Sequence, residues 1–520
     1  MEYKLIIHDR EYSSWSFINP LLEETSKLKI YSMKSGTDSI SCELPLLEQD
    51  LERINKEEID NSIPQINPIS QKLFNNDIIL YDLSQNTVQT IYSQIRSITE
   101  IAGILILENN KTYGREQSDK NNKKLLYKCI PNDKHLPVFL IPYDTKIKFS
   151  KVFKNKYVLF KYDSWIDIHP QGKLTSIIGD VDIYTSFCEY KLYCKNLNIS
   201  LTQLTKKTKE QLQNNTIEKI LLNSKLNIED RRKQIQPITI DPENSSDLDD
   251  AISIKIINEE THITIYIANV FIWIETLNLW KSLSNRVSTI YLPDRKRPML
   301  PNILSEQLCS LKAGEDRFAL ALDLIYDNKN NIIYKSFKTV LINVSHNYHY
   351  ECKNLKRDVQ YKSLYEFTRT LDKNITDSHD IVEYWMIIMN SIAGEKLASH
   401  KIGIFREAKR TNVKESLPEN IRLSERRIIS MWKTVSAQYV VYKEMMNHEI
   451  MKLSNYTHIT SPIRRIVDLI NQTLLEGILL EEMSVDGEEF LKRWLEEVPY
   501  INSSLQSIRK IESECEIVNR

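Results

Sequence analysis

Four aspartates, Asp241, Asp247, Asp249 and Asp250, fall within ten consecutive positions of the segment Ile238-Thr-Ile-Asp-Pro-Glu-Asn-Ser-Ser-Asp-Leu-Asp-Asp-Ala. Like charges this close repel, so the cluster must be protonated, turned to water or neutralised by a cation. Oxygen-only donors select hard cations, chiefly Mg²⁺ or Mn²⁺, which activate water and neutralise a scissile phosphate in phosphodiester hydrolysis. A solvated acidic loop is the competing account. A calcium loop fits less well, because the glycine at its sixth position and the closing glutamate are both missing.

Two further stretches carry chemistry. In Tyr456-Thr-His-Ile-Thr-Ser-Pro-Ile-Arg-Arg, Ser461 is predicted to cap a helix with Pro462 at its first position. Arg464 and Arg465 then lie in the first turn, where positive charge opposes the helix dipole. That arrangement makes sense if an anion such as phosphate is held there. Pairing with Asp468 across one turn is the competing account for one arginine, not for both. The third stretch, Arg286 to Pro301, puts Tyr291 beside a basic cluster and a proline-stiffened loop, so that its ring can stack on a base. A core position is the competing account for that ring.

The elements that position these residues divide the chain. Residues 1–205 mix short β-branched and aromatic runs, such as Ile78 to Tyr81 and Tyr157 to Tyr162, with polar turns, and read as small β-barrels. Lys146, Lys148, Lys151, Lys154 and Lys156 interleave with Phe149, Phe153 and Tyr157, a pattern suited to single-stranded nucleic acid or to an ordinary solvated face. The polar stretch Thr202 to Asn223 marks the expected main boundary. Beyond it, alternating Ile263, Ile265 and Ile267 and the pair of runs around Leu320 to Leu324 and Ile332 to Tyr334 predict a sheet with a hairpin. Helices are predicted over Ile381 to Ala398, Ile428 to His448, Ile463 to Leu480, Glu488 to Glu497 and Ser503 to Val518.

With 520 residues the chain exceeds one core, and 41% hydrophobic content excludes wholesale disorder. The net charge of −1 gives no global attraction for a polyanion, so any nucleic-acid site must be local. The seven cysteines form no CxxC pair and are odd in number, arguing against zinc or a disulfide framework and for an intracellular protein. No apolar stretch approaches a membrane span, so a soluble chain without a membrane partner is expected.

In this order, the three stretches resemble the ribonuclease II family, whose catalytic unit is the RNB domain. The matching motifs are Ile240-Asp-Pro with Asp247-x-Asp-Asp-Ala, then Tyr291-Leu-Pro and Pro298-Met-Leu-Pro, Leu304-Ser-x-x-Leu-Cys-Ser-Leu, and His458-x-Thr-Ser-Pro-Ile-Arg-Arg. The segment from Leu136 to Leu201 is also similar to the second cold-shock barrel of the eukaryotic, exosome-associated branch. The resemblance implies a multidomain fold: N-terminal OB/cold-shock-type barrels over residues 1–95 and 96–205, then an α+β RNB catalytic domain over 206–520. It implies a 3′→5′ exoribonuclease that hydrolyses single-stranded RNA to nucleoside 5′-monophosphates with Mg²⁺ or Mn²⁺. Asp241, Asp247, Asp249 and Asp250 would be the metal and catalytic carboxylates and Arg464 a catalytic contact. Tyr291, Tyr350, Glu383 and Arg465 would bind RNA, Tyr291 by stacking and Tyr350 and Glu383 at ribose 2′-hydroxyls.

Two positions depart from the family pattern: Asn269 stands where aspartate is usual and Gln472 where histidine is common, so altered polar contacts are expected there. The sequence ends at Arg520 after the helix in which the RNB domain finishes, implying that the S1 barrel is absent and RNA anchoring weaker. The alternative reading is a catalytically weak RNA-binding or accessory subunit of an RNA-decay complex. The intact aspartates argue against it.

Overall fold

The computed structural model describes residues 2–18, 31–32, 64, 66–82, 84–116, 124–144, 153–407, 437–443, 447–448, 453–480 and 482–520. Contacts divide the chain into Met1–Asn198 with Cys515–Arg520, and Ile199–Glu514.

The first unit holds two five-stranded systems. Strands β1 (Glu2–Ile7), β2 (Ser14–Ile18), β3 (Tyr31–Ser32), β4 (Ile78–Asp82) and β5 (Thr87–Tyr92) pair in the order β3-β2-β1-β4-β5. Strands β6 (Ile101–Leu105), β7 (Leu125–Pro131), β8 (Phe139–Tyr143), β9 (Lys156–Ser164) and β10 (Gln171–Asp180) repeat that order and close into a barrel, where Gln171 pairs in parallel with Leu140. Alternation drives both: Tyr3, Leu5 and Ile7 turn inward on β1, as do Ile101 and Leu105 on β6. The two systems share one core, in which Phe74 stacks on Phe139 at 6.0 Å and tilts against Trp165 at 4.8 Å. Of the two predicted barrels only the second closes among the described residues; the first is an open sheet of the same strand order.

The lysine and aromatic run follows its ordinary reading where it is described. Lys154 pairs with Asp182 at 2.6 Å, Lys156 with Asp180, and Tyr157 is buried against Tyr190 at 4.2 Å. Lys146, Lys148, Phe149 and Lys151 lie outside the described residues.

The second unit is built on a seven-stranded sheet: β11 (Glu229–Asp230), β12 (Ile238–Asp241), β13 (Asp250–Ile257), β14 (Glu260–Ala268), β17 (Asp316–Tyr326), β18 (Ile332–Asn343) and β19 (His346–His349). The order is β11-β18-β17-β14-β13-β12-β19, with a small separate hairpin of β15 (Ile290–Tyr291) and β16 (Lys296–Arg297). Its longer α-helices are α1 (Thr202–Leu212), α2 (Val270–Thr276), α3 (Val359–Leu371), α4 (Ser378–Ser399), α5 (Ile466–Leu479), α6 (Val485–Glu496) and α7 (Val498–Asn519). The stretch expected to mark the main boundary carries α1, whose Leu204 and Thr208 are buried. A helix predicted over Ile428 to His448 is corrected where the chain is described. Gln438–Val441 is a strand paired with Ile404–Glu407, because β-branched Val440 and Val441 find a partner edge. No described helix is long and apolar enough to cross a membrane.

Helix α5 is buried along nearly its whole length, polar residues included, so its side chains must find partners. Gln472 accepts from the Val270 N–H at 3.0 Å and donates to the Ala268 carbonyl at 2.9 Å. Asn269 caps α2 by accepting from Ile272 N–H and donates to Glu476, which also accepts from Thr339 at 2.6 Å. An aspartate at 269 would face Glu476 as a second carboxylate; the asparagine supplies the donor instead. The two departures are thus members of one buried polar network.

Two predictions follow from this packing. Gly394 of α4 approaches the next segment so closely that a Cβ would stand 1.8 Å from the Asn455 carbonyl oxygen. Gly394→Ala should therefore lower stability by about 1–3 kcal/mol in chemical denaturation, despite alanine's better helix propensity; a stabilised variant would contradict this packing. Glu476 is fully buried, and burial lifts its carboxyl from 4.5 to about 7, against the hydrogen bonds of Thr339 and Asn269. The folded state holds this proton more tightly than the unfolded state. Its contribution is therefore fully present below about pH 4.5 and lost as pH rises through about 7, a decline of about 3 kcal/mol. Glu476→Gln should flatten that decline, read from unfolding free energies across the interval.

Candidate active site

Asp241 closes β12 and Asp250 opens β13, and these strands run antiparallel with Ile238 opposite Ile252. The connecting loop therefore returns both carboxylates to one end of the sheet. Ser310 ties the loop down: its hydroxyl donates to the Ser246 carbonyl at 3.0 Å and accepts from Leu248 N–H at 3.1 Å, while Leu311 N–H donates to the Leu248 carbonyl at 2.9 Å.

Asp249 is 1% exposed, and each of its oxygens has a separate partner. Oδ1 accepts from the Ile463 N–H at 3.0 Å and Oδ2 from Arg464 Nε at 3.2 Å. The arginine comes from a turn, not from a helix. The segment Ser461 to Arg464 precedes α5, which begins at Ile466, so the predicted Ser461 cap is corrected. Asp468 organises the turn instead, its Oδ1 accepting from Ser461 N–H and Arg465 Nη2, both at 2.8 Å. On the other side the Arg464 carbonyl accepts from Thr289 N–H at 2.9 Å. Arg465 thus follows the competing account, pairing with Asp468, and Arg464 alone reaches the aspartates. Its side chain remains 44% exposed, while Nη2 donates to the Ser461 hydroxyl at 3.1 Å.

Burial dominates the electrostatics. It raises the Asp249 carboxyl to about 7, although Arg464 and the Ile463 N–H pull the other way. Asp241 and Asp250 are raised as well, first by burial; Asp249 adds to this at Asp241, and Asp241 at Asp250. Oδ2 of Asp241 is buried with no hydrogen-bond partner. Asp247 differs from the other three: Lys296 stands 3.1 and 3.2 Å from its two oxygens.

Two tyrosines border the carboxylates. Tyr291, on β15 opposite Lys296, is half exposed, and its N–H donates to Glu512 at 3.0 Å. Tyr350 donates its N–H to the Asp241 carbonyl at 3.1 Å and stacks its ring on His379 at 3.6 Å. Glu383 is exposed one turn beyond His379 on α4. The fold thus gathers the aspartates, Arg464, Tyr291 and Tyr350, with Glu383 exposed on the helix against which Tyr350 stacks. Lys296 and Ser310 were missed as individuals, though both lie in stretches that drew attention. His379 had no signal in the sequence, because its only claim is the ring it meets in space.

The donor set suits a hard divalent ion in chemistry, and the unpartnered Asp241 oxygen is an atom that such an ion would satisfy. Among the described residues, no three His, Cys, Asp or Glu side chains converge in a ready metal-binding group.

Residues 229–356 and 352–481 match the RNB domain. Ribonuclease R of Mycoplasmopsis pulmonis is 26% identical over 283 residues, covering 51% of this chain and 38% of that protein. The chain spans 38% to 52% of the length of such curated relatives. In fold it is similar to Mycoplasma genitalium RNase R in complex with ribose methylated single-stranded RNA, with a TM-score of 0.64 at 17% identity over 99% of this chain and 85% of that one. It is also similar to yeast Ssd1, a pseudonuclease, with a TM-score of 0.57 at 13% identity over 99% of this chain and 73% of that one. Residues 229–481 thus belong to the RNB-domain family, and the β-barrel architecture ahead of them is similar in fold to that of RNase R.

Proposed function

We propose that this chain is a divalent-metal-dependent 3′→5′ exoribonuclease that shortens single-stranded RNA and releases nucleoside 5′-monophosphates. The observation that carries this reading is the buried carboxylate group joined to Arg464 through Asp249. When bound, Mg²⁺ or Mn²⁺ supplies an acidified water and neutralises phosphate charge. Asp241, Asp249 and Asp250 are the residues that would hold it. Asp249 also fixes Arg464, whose partly exposed side chain meets the scissile phosphate and stabilises the charge that develops there. Tyr291 stacks on the terminal base, and Tyr350 with Glu383 addresses ribose 2′-hydroxyls, the groups that distinguish RNA from DNA. Arg465, tied to Asp468, positions the turn and reaches RNA only through it.

One observation favours a second reading. The fold is shared with Ssd1, described as a pseudonuclease, so the architecture is compatible with RNA holding or an accessory place in an RNA-decay complex. The buried, mutually repelling carboxylates of Asp241, Asp249 and Asp250, with Arg464 beside them, support the hydrolytic reading, since binding alone has no use for them.

Incubation of 5′-labelled single-stranded RNA with Mg²⁺ should give stepwise shortening from the 3′ end, abolished by EDTA. Asp249→Asn should slow it by on the order of 10²-fold or more; intact substrate with wild type and variant alike would sink the proposal. Arg464→Ala should lower kcat by about 10²-fold while changing RNA affinity far less. Equal losses in both would reduce Arg464 to a binding contact.

A further inference from the structure

Of the four aspartates, Asp247 alone has a cation on both oxygens. Lys296 Nζ lies 3.1 Å from Oδ1 and 3.2 Å from Oδ2, with the Ser246 hydroxyl at 2.6 Å and Glu306 at 3.4 Å. The three protons of the ammonium are thereby occupied. The Asp247 side chain is 5% exposed and that of Lys296 27%, so the carboxylate end of this contact is the buried one. A Mg²⁺ or Mn²⁺ ion would need to approach either oxygen to about 2 Å. There it would meet the ammonium as a like charge at close range. The lysine is also fixed from behind: it sits on β16 directly opposite Tyr291, inside a two-strand hairpin.

We propose that Lys296 is a built-in cation which neutralises Asp247 permanently, so that Asp247 positions the lysine and the hairpin rather than ligating a divalent ion. Divalent binding then falls to the other aspartates. This rests on the metal-dependent reading above. Lys296 consequently limits the number of ions the site accepts, and it ties the aspartate loop to the hairpin that presents Tyr291.

The test is calorimetric titration of MnCl₂ into the metal-free full chain, with thermal melts in parallel. Wild type and Lys296→Arg should bind the same number of ions, and Asp247→Asn should stay within about threefold of wild-type affinity. Lys296→Met, which frees Asp247, should gain one Mn²⁺ per chain or bind about tenfold tighter, and Mn²⁺ should raise its Tm more than that of wild type. The proposal is overturned if Asp247→Asn weakens Mn²⁺ by tenfold or more, or if Lys296→Met binds as wild type does. Should Lys296→Met fail to fold, the Asp247→Asn and Lys296→Arg arms decide. Absence of Mn²⁺ binding in wild type would instead overturn the metal-dependent reading. In that event, a site gained by Lys296→Met still supports the role of Lys296, and no gain overturns it.

Discussion

A single buried carboxylate, Asp249, joins the parts of the second unit that chemistry requires together. It lies just before β13, and its two oxygens receive an N–H from Ile463 and the guanidinium of Arg464, more than two hundred positions later in the chain. Its own carbonyl accepts from Ala268 N–H at 2.7 Å, which ties it to the end of β14. A charge this buried cannot stand without such partners. The turn of Ser461 to Arg464, the end of the sheet and the aspartate loop are therefore mutually dependent: moving any one leaves Asp249 unsatisfied.

That dependence spreads outward through further polar groups. The arginine turn is held by Asp468 from α5 and by the Thr289 N–H from the segment leading into the Tyr291 hairpin. The preceding segment is gripped by Asn390 of α4, whose side chain accepts from the Ile459 N–H at 2.9 Å, one turn from the glycine that lets Asn455 approach. Behind it, Asn269, Gln472 and Glu476 anchor α5 against the end of β14 and the start of α2. Helix α5 thus braces the site from inside the core, and its buried side chains are polar because they complete backbone hydrogen bonds.

The electrostatic arrangement has two parts. Two aspartates are matched by fixed cationic side chains, Asp249 by Arg464 and Asp247 by Lys296. Burial nonetheless draws Asp249, like Asp241 and Asp250, toward holding a proton. Crowded acids with partial compensation are the charge that the proposed divalent ion would offset. Arg464 is held by Asp249 and by the Ser461 hydroxyl, yet its side chain remains 44% exposed.

The candidate site's residue types are legible in the sequence because they are local. Four aspartates in ten positions, the run ending in Arg464-Arg465 and the Tyr291 stretch declare their residue types and order without any structure. Period-two alternation marked the sheet hairpin and the 3.6-residue period four of the helices, since side-chain periodicity is a property of neighbours. What the tertiary structure alone decided are pairings between distant positions. It chose which arginine meets an aspartate and which meets Asp468, made Gln438–Val441 a strand by giving it an edge, and put His379 under Tyr350. It also separated Asp247 from its three neighbours by bringing Lys296 to it. Charge compensation in a core depends on distance in space, and sequence spacing carries no record of that distance.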